Sequence, residues 1–331
     1  MGRRIVGINL AKNGALAILQ DGELEFYLEE ERVTKIKRDI SAKALAKMYV
    51  DSDVDAVTIC DCYTRYSPKT YLERTIAKNK LVNIVKQNGC NNIIDYRQRH
   101  HECHAACALH HSPFDDAAVI VMDGKGSVYE EDGLRFCETE SIFDNLTSVF
   151  RHYSTFWSEE ESKKIDKPYW KNGNLYSNRT SVGQAFRRVS RYCGFDEIEG
   201  GKTMGLSAYG HPDTPIDLFN EEYGHSLCST VLSPERDTTK YTGAPLLEAD
   251  LAYSLQKSAE KHAIFMVKKA MELTGKKNIC VTGGFFLNCV SNYAIIKSLD
   301  INLYCDPIAY DGGNAIGSAL LNHYENTLSR T

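Results

Sequence analysis

The chain runs through one local pattern twice, and that repeat limits the folds open to it. Residues 4–30, RIVGINLAKNGALAILQDGELEFYLEE, read as an apolar strand, a glycine-containing loop, a second strand, an Asp-Gly turn and a third strand. Residues 117–143, AAVIVMDGKGSVYEEDGLRFCETESIF, give the same order, with Gly124 and Gly126 in the loop and Asp132-Gly133 at the turn. Asp-Gly between alternating runs signals a hairpin, because such turns need positive φ at both central residues. Each half then passes into helical sequence. Leu251, Leu255, Ala259, Ala263, Met266, Ala270 and Leu273 recur at steps of three and four, which predicts an amphipathic helix over 248–274 stopped by Gly275. The run NICVTGG then predicts a strand, followed by a helix from about Cys289. INLYCDPIAYDGGNAIGSALLNHY predicts strand, loop and final helix. Strands alternating with helices indicate an α/β class.

A chain of 331 residues with 43% hydrophobic content is long enough for two lobes with real cores. The expected division is 1–115 and 116–331, with an insertion near 151–176. Two lobes of this pattern are those of a duplicated actin-like ATPase (ASKHA) fold, in which loops at the strand ends hold nucleotide phosphates in a cleft between the lobes. No apolar run reaches the roughly 18 residues of a membrane span. The opening MGRRIVGINLAKNG enters a strand directly, so no secretion signal and a cytoplasmic location are expected. A net charge of −5 excludes a global basic footprint for nucleic acid. The eleven cysteines are odd in number, scattered and without paired CxxC spacing, which suggests reduced thiols used as small hydrophobes.

The sharpest local signal is RHHECHAACALHH at 99–111. His100 and His104 are four apart and share one face of a helix, a spacing that suits two imidazoles on one ion. Asp123 ends the strand AVIVMD and Asp311 follows another strand, so both are carboxylate candidates. Two histidines plus carboxylates suit Fe(II), Mn(II) or Zn(II), although a plain surface histidine cluster gives the same pattern. His101 is kept as an acid/base candidate, while His110 and His111 are expected to be surface or supporting groups.

GGKT at 200–203 resembles the end of a Walker loop, but Asp196 stands where that motif needs glycine. No GxGxxG follows a strand, which disfavours a Rossmann fold. Asp123-Gly124-Lys125-Gly126 can bring backbone amides and a lysine to phosphate. Gly283 and Gly284, ahead of Asn288, let a base or ribose approach the backbone. Gly312 and Gly313 open a helix whose terminus favours an anion. Each of these loops is also readable as a mere turn.

These blocks, taken in order, resemble the ATP-dependent O-carbamoyltransferases of antibiotic biosynthesis and nodulation-factor modification. Their N-terminal domain is similar to the protein that makes threonylcarbamoyl-adenosine in tRNA. The blocks are IVGIN, DGELEFYLEEERVTKIKRD with Glu30, Glu31, Arg32 and Lys37, HHECHAACALHHSPFDDAAVIVMDGKG, EGGKTMGLSAYGHP, GGFFLNCVSN and DGGNAIGSAL. The resemblance implies an iron-type metal on His100, His104, Asp123 and Asp311, and an adenylate site lined by Gly283, Gly284 and Asn288. Gly124, Gly126, Lys202, Gly312 and Gly313 complete the cofactor candidates, with His101, Lys12 and Lys125 as catalytic ones. It also implies that ATP and carbamoyl phosphate give carbamoyl-adenylate, whose carbamoyl group then moves to a hydroxyl.

Two departures stand out. Where the family has His-Asp-Ala-Ser after the first strand, this sequence has Lys12, Asn13, Gly14 and Ala15. Either Lys12 takes an electrostatic role or the base lies elsewhere. Relatives also continue into a YrdC-like domain that forms carbamoyl-adenylate, so a separate YrdC-like subunit is the expected partner, with a homodimer left open. The segment 151–176 carries Trp157, Trp170, Lys163, Lys164, Lys167 and Lys171, with Arg179, Arg187 and Arg188 beyond it. It reads as a solvated loop, a nucleic-acid contact or a lid over a small molecule. The acceptor is accordingly a hydroxymethyl-pyrimidine in DNA or a small natural product. Alternatives are a tRNA threonylcarbamoyl-type transferase and a nucleotide-binding regulatory subunit.

Overall fold

A computed structural model of the protein describes residues 2–62, 68–155, 159–213, 215–228 and 247–328. Trp157 lies outside the described residues. The fold is a mixed α/β arrangement of two compact units, 1–115 with 126–129 and 306–331, and 116–125 with 130–305.

The first unit opens with β1 (Arg4–Asn9), β2 (Ala15–Gln20), β3 (Glu23–Glu29), α1 (Glu30–Thr34) and α2 (Lys43–Tyr49). It continues through β4 (Ala56–Cys60), α3 (Pro68–Gln87), β5 (Ile93–Asp95) and α4 (His100–His111). Its sheet has the order β3-β2-β1-β4-β5. β1 pairs antiparallel with β2 and parallel with β4. The Asp21-Gly22 turn has φ of 55° and 92°, the left-handed pair that matches strand twist. Val6, Ile8, Leu16, Ile18, Leu45, Ile59, Leu81 and Val85 form the core of this unit.

Glu30, from the acidic block after β3, is 1% exposed. Its carboxylate accepts the Ala44 and Leu45 N–H groups at 2.7 and 3.0 Å and the Ser41 hydroxyl at 3.2 Å. It therefore caps α2, whose own N-cap residue, Ala42, has no acceptor side chain.

The second unit holds β6 (Ala118–Met122), β8 (Leu134–Asp144) and β9 (Thr147–Ser154), with β7 (Val128–Glu131) joined to β8 by the Asp132-Gly133 turn. After α5 (Glu159–Ser162) come β10 (Tyr169–Lys171), β11 (Asn174–Ser177), α6 (Val182–Tyr192), α7 (Gly200–Leu206), β12 (Phe219–Glu222) and β13 (His225–Cys228). Then follow α8 (Glu248–Thr274), β14 (Asn278–Thr282), α9 (Cys289–Ser298) and β15 (Asn302–Cys305). The main sheet runs β10-β11-β9-β8-β6-β14-β15. Its β9-β8-β6-β14-β15 portion has the same directions and order as β3-β2-β1-β4-β5.

The turn that corresponds to Asp21-Gly22 is at Asn145, with φ of 52°, between β8 and β9. The sequence repeat had aligned Asp132-Gly133 there, but that turn belongs to the extra hairpin β7–β8. Local turn chemistry identifies a hairpin without saying which hairpin of the fold it is. The segment expected as an insertion contributes β10 and β11, which extend the sheet beyond β9.

α8 covers the expected span and ends at Gly275 with φ of 71°. Leu251, Leu255, Ala259, Ala263, Met266 and Ala270 are buried against Ile120, Met122 and Ile279. Burying a leucine such as Leu255 contributes about 1.5–3 kcal/mol. Leu273, counted on the same stripe, is 45% exposed in the last turn.

The chain returns to the first unit through a 3₁₀ turn at Asp311–Gly313 and α10 (Asn314–Leu328). Small residues seat this helix. A Cβ on Gly7 would lie 1.8 Å from the Ala315 carbonyl oxygen, and one on Gly317 would lie 1.8 Å from that of Cys103. Close approach of α10 to both β1 and α4 is what brings the Asp311 turn to α4. No described helix is long and apolar enough to cross a membrane.

Candidate metal centre and nucleotide loops

α4 places His100 and His104 one turn apart on a buried face, at 0% exposure each. Their Nε2 atoms are 3.2 Å apart. Asp311 Oδ1 lies 3.6 Å from His100 Nε2 and 3.8 Å from His104 Nε2. Two imidazole nitrogens at this distance can share only one proton. A single cation with bonds of about 2.0–2.1 Å holds its donors about 3.0–3.4 Å apart; the histidine pair has that spacing, and the two carboxylate distances exceed it by less than about half an ångström. Burial alone would raise the carboxyl pKa of Asp311, but the facing imidazoles hold it well below the usual range.

Asn314 supplies a support the sequence reading missed. Its Nδ2 is 3.3 Å from His100 Nδ1, while its Oδ1 has no hydrogen-bond partner among the described residues. Turning the amide over lets Oδ1 accept the Nδ1 proton, which leaves His100 Nε2 free for a cation. Its signal was only its place, three residues after Asp311. His101 is fully buried, and its ring centre is 6.0 and 6.4 Å from those of His100 and His104. Lys12 is exposed in the β1–β2 loop. That loop is pinned by Asn9, which accepts the Ala11 N–H and donates to the Asn13 carbonyl.

In the second unit, Asp123 directly follows β6 and accepts the Gly124 N–H at 2.7 Å. Lys125 is 8% exposed. The first turn of α6 packs on this loop. Ser181 donates to the Gly124 carbonyl at 2.9 Å, and a Cβ on Gly183 would lie 2.7 Å from Gly124 Cα. Ser181 also caps α6 by accepting the Gln184 N–H at 3.3 Å. Gln184 Nε2 has no hydrogen-bond partner among the described residues. A helix N-terminus beside a glycine loop and a lysine favours an anion. SVGQAF carries no phosphate fingerprint, so sequence reading passed over it.

The remaining glycine candidates have evident packing roles. Gly283 has φ of 92°, and a Cβ there would lie 2.4 Å from the Met122 carbonyl oxygen; one on Gly284 would be 3.2 Å from Asp123 Oδ1. In the first unit, a Cβ on Gly312 would lie 2.6 Å from the Tyr27 hydroxyl, and one on Gly313 2.4 Å from the Ile308 carbonyl. The Gly126 carbonyl accepts from the Cys62 thiol at 3.5 Å. Asn288 caps α9 by accepting the Ser291 N–H at 3.0 Å and donates to Gln256 on α8 at 2.8 Å. Lys202 is exposed and pairs with Glu199 at 2.8 Å.

The basic residues around 151–188 largely meet acids. Lys171 pairs with Glu131 and Asp132, Lys164 with Glu160, Arg179 with Glu222 and Arg187 with Glu197. Trp170 donates to the Tyr223 carbonyl at 2.8 Å. These contacts match a folded surface segment better than an open track for phosphates.

The family described as carbamoyltransferase N-terminus matches residues 49–320. A protein of Synechocystis sp. is 26% identical over 93% of this chain and 55% of its own length. Nodulation protein NolNO of Sinorhizobium fredii is 24% identical over 93% of this chain and 46% of its own. The chain thus spans about half the length of these curated relatives. Among solved structures, full-length HypF in a phosphate- and nucleotide-bound form is similar with a TM-score of 0.54 at 13% identity, over 97% of this chain and 55% of that one. That likeness concerns the fold.

Proposed function

The chain belongs to the carbamoyltransferase family, whose N-terminus model it matches over residues 49–320, and from that premise we propose that it moves a carbamoyl group from carbamoyl-adenylate to an acceptor hydroxyl. The observation that carries this is the set of buried His100 and His104 with partly exposed Asp311, a donor group with no use in plain nucleotide binding. In this reading Asp123, just after β6, is kept as a further metal-ligand candidate on its chemistry alone. The metal is Fe(II), with Mn(II) or Zn(II) as the chemically allowed substitutes. When bound, such a cation supplies Lewis acidity toward a phosphate or carbonyl oxygen. Each unit carries the strand order of one lobe of a duplicated actin-like fold.

The chain's own groups have separate tasks. The Gly124 backbone, Lys125 and the α6 N-terminus hold the adenylate phosphate. Gly283, packed on Met122, and Gly284, facing Asp123, are the proposed nucleoside contacts of this unit. Holding acceptor and carbonyl together converts the encounter into a step within one complex. The acceptor oxygen bonds to the carbamoyl carbon, the bond from that carbon to the phosphate oxygen breaks, and AMP leaves. A YrdC-like module, on another chain or the same one, makes carbamoyl-adenylate from ATP and carbamoyl phosphate. Because Lys164, Lys171, Arg179 and Arg187 already meet acids, the acceptor we favour is a small hydroxylated molecule rather than DNA. The test incubates the protein with ATP, labelled carbamoyl phosphate and a YrdC-like partner, against pooled hydroxylated acceptors that include hydroxymethyl-pyrimidine DNA. Mass spectrometry then reads carbamoyl gain.

His101 remains the proposed base, since Lys12 is exposed in its loop. His101→Ala is expected to lower kcat by about 10²–10⁴-fold, the range for a positioned general base. Bound metal should stay near the wild-type level. A loss of metal equal to that in a ligand variant would instead make His101 part of the metal set.

A further inference from the structure

The histidine face of α4 does not end at His104. Cys107 and His111 continue it at steps of three and four, so His100, His104, Cys107 and His111 lie along one side of the helix. We propose that Cys107, His111 and Asp306 hold a second cation, zinc in character, one to two helix turns along from the His100–His104–Asp311 set.

Cys107 is 0% exposed and Asp306 is 4% exposed. The His111 side chain is 21% exposed and opens the group to solvent. His111 Nδ1 lies 3.7 Å from Cys107 Sγ and 3.8 Å from Asp306 Oδ1, and the three donor atoms all fall within 4.8 Å of one another. Without a cation the Cys107 thiol hydrogen-bonds the Asp306 carboxylate, and the His111 ring nitrogen, with one proton or one lone pair, serves at most one of the two; a cation would replace the thiol proton. At 3.8 Å the nitrogen–oxygen pair is also beyond hydrogen-bond length.

A tetrahedral zinc with Zn–S of about 2.3 Å and Zn–N and Zn–O of about 2.0–2.1 Å separates sulfur from nitrogen by about 3.6 Å and nitrogen from oxygen by about 3.4 Å. The observed distances are within half an ångström of those edges. The mixed sulfur, nitrogen and oxygen set suits a borderline-soft ion, unlike the sulfur-free set at the other end of the helix. The carboxylate is already oriented, because Asp306 Oδ1 accepts the Ile308 N–H at 3.0 Å. Gly313 keeps other side chains off the sulfur, since a Cβ there would lie 3.2 Å from Cys107 Sγ.

The placement gives this cation a task. Asp306 begins the stretch that ends at Asp311, and α4 carries His100 and His104. A cation on Cys107, His111 and Asp306 ties the helix to that stretch and sets how far Asp311 stands from the histidine pair.

The experiment titrates the metal-free full chain with cobalt(II) and follows its near-ultraviolet and visible absorption. A thiolate ligand gives an intense sulfur-to-cobalt charge-transfer band, which imidazole and carboxylate do not. Two cobalt equivalents per chain are expected, one of which brings that band. Cys107→Ser should abolish the band and one equivalent, whereas His104→Ala should remove the other equivalent and keep the band. His111→Gln, at the partly exposed ligand, serves if Cys107→Ser does not fold, and should also abolish the band. Absence of the band in the unaltered chain, its persistence in these two ligand variants, or its loss in His104→Ala overturns the proposal.

Discussion

His104→Ala is expected to remove the cation at His100, His104 and Asp311 and to lower carbamoyl transfer by more than about 10²-fold. That factor is the upper scale for losing a group that merely supports a ligand, and a ligand should cost more. His104 Nε2 stands 3.2 Å from His100 Nε2 and 3.8 Å from Asp311 Oδ1, so it is one corner of the three-donor triangle. Removing it leaves one imidazole facing one carboxylate, which form an ordinary ion pair. The side chain is fully buried, and its truncation also leaves a cavity. Loss of folding must therefore be separated from loss of metal. The measurement is metal content, transfer rate and melting temperature on one preparation. Normal folding with low metal and low transfer is the expected result. Normal folding with wild-type metal content would remove His104 from the ligand set.

Glu140→Gln is expected to be the most destabilising single change, by about 3–5 kcal/mol, the scale for breaking a buried charged pair from one side. Glu140 is 2% exposed. Its Oε1 lies 2.6 Å from His262 Nε2, and its Oε2 lies 2.9 Å from His225 Nε2 and 3.5 Å from His152 Nδ1. Lys269 stands 3.4 Å from His225 Nδ1 and 4.0 Å above the Phe150 ring. Burial would raise the Glu140 pKa, but the charge of His262 and the imidazole hydrogen bonds hold it well below the usual range. Burial lowers the His225 pKa to about 3, against 6.5 for the free side chain.

Both shifts make stability fall in acid. The unfolded chain takes up a proton on His225 below pH 6.5, whereas the folded chain does so only near pH 3. The Glu140 contribution is full above its unfolded value of 4.5 and is lost as pH falls toward its lower folded value. Urea unfolding of wild type at pH 7, 5.5 and 4.5 should show stability falling at each step. Glu140→Gln at pH 7 should show the large loss. A variant within about 1 kcal/mol of wild type would mean that the network contributes little, as exposed ion pairs do.

Contacts close in sequence were legible, and contacts far apart were not. His100 and His104 stand out because one helix turn separates them. The stripe from Leu251 to Ala270 is legible because a helix repeats it. Glu140, by contrast, meets residues from β9, β13 and α8, and no spacing rule links such positions. Cys107 and His111 had helical spacing in plain view, but their significance depends on Asp306, which arrives only when the chain returns from β15. Turn chemistry misled at Asp132-Gly133, because Asn145 makes the corresponding turn without a following glycine. The basic residues near 151–188 suggested phosphate until their partners Glu131, Glu197 and Glu222 came into view from other elements. Charge in sequence shows the sign of a residue, whereas the fold decides whether that charge is already met.

We propose carbamoyl transfer at the centre formed by His100, His104 and Asp311. The most direct measurement supplies preformed carbamoyl-adenylate to the metal-loaded chain with the pooled hydroxylated acceptors and follows AMP together with acceptor mass. The expected result is one AMP released for each carbamoyl group gained by a small hydroxylated acceptor, with both signals falling together in His104→Ala. AMP release at the same rate in His104→Ala, or no carbamoylated product from any acceptor, would contradict the claim.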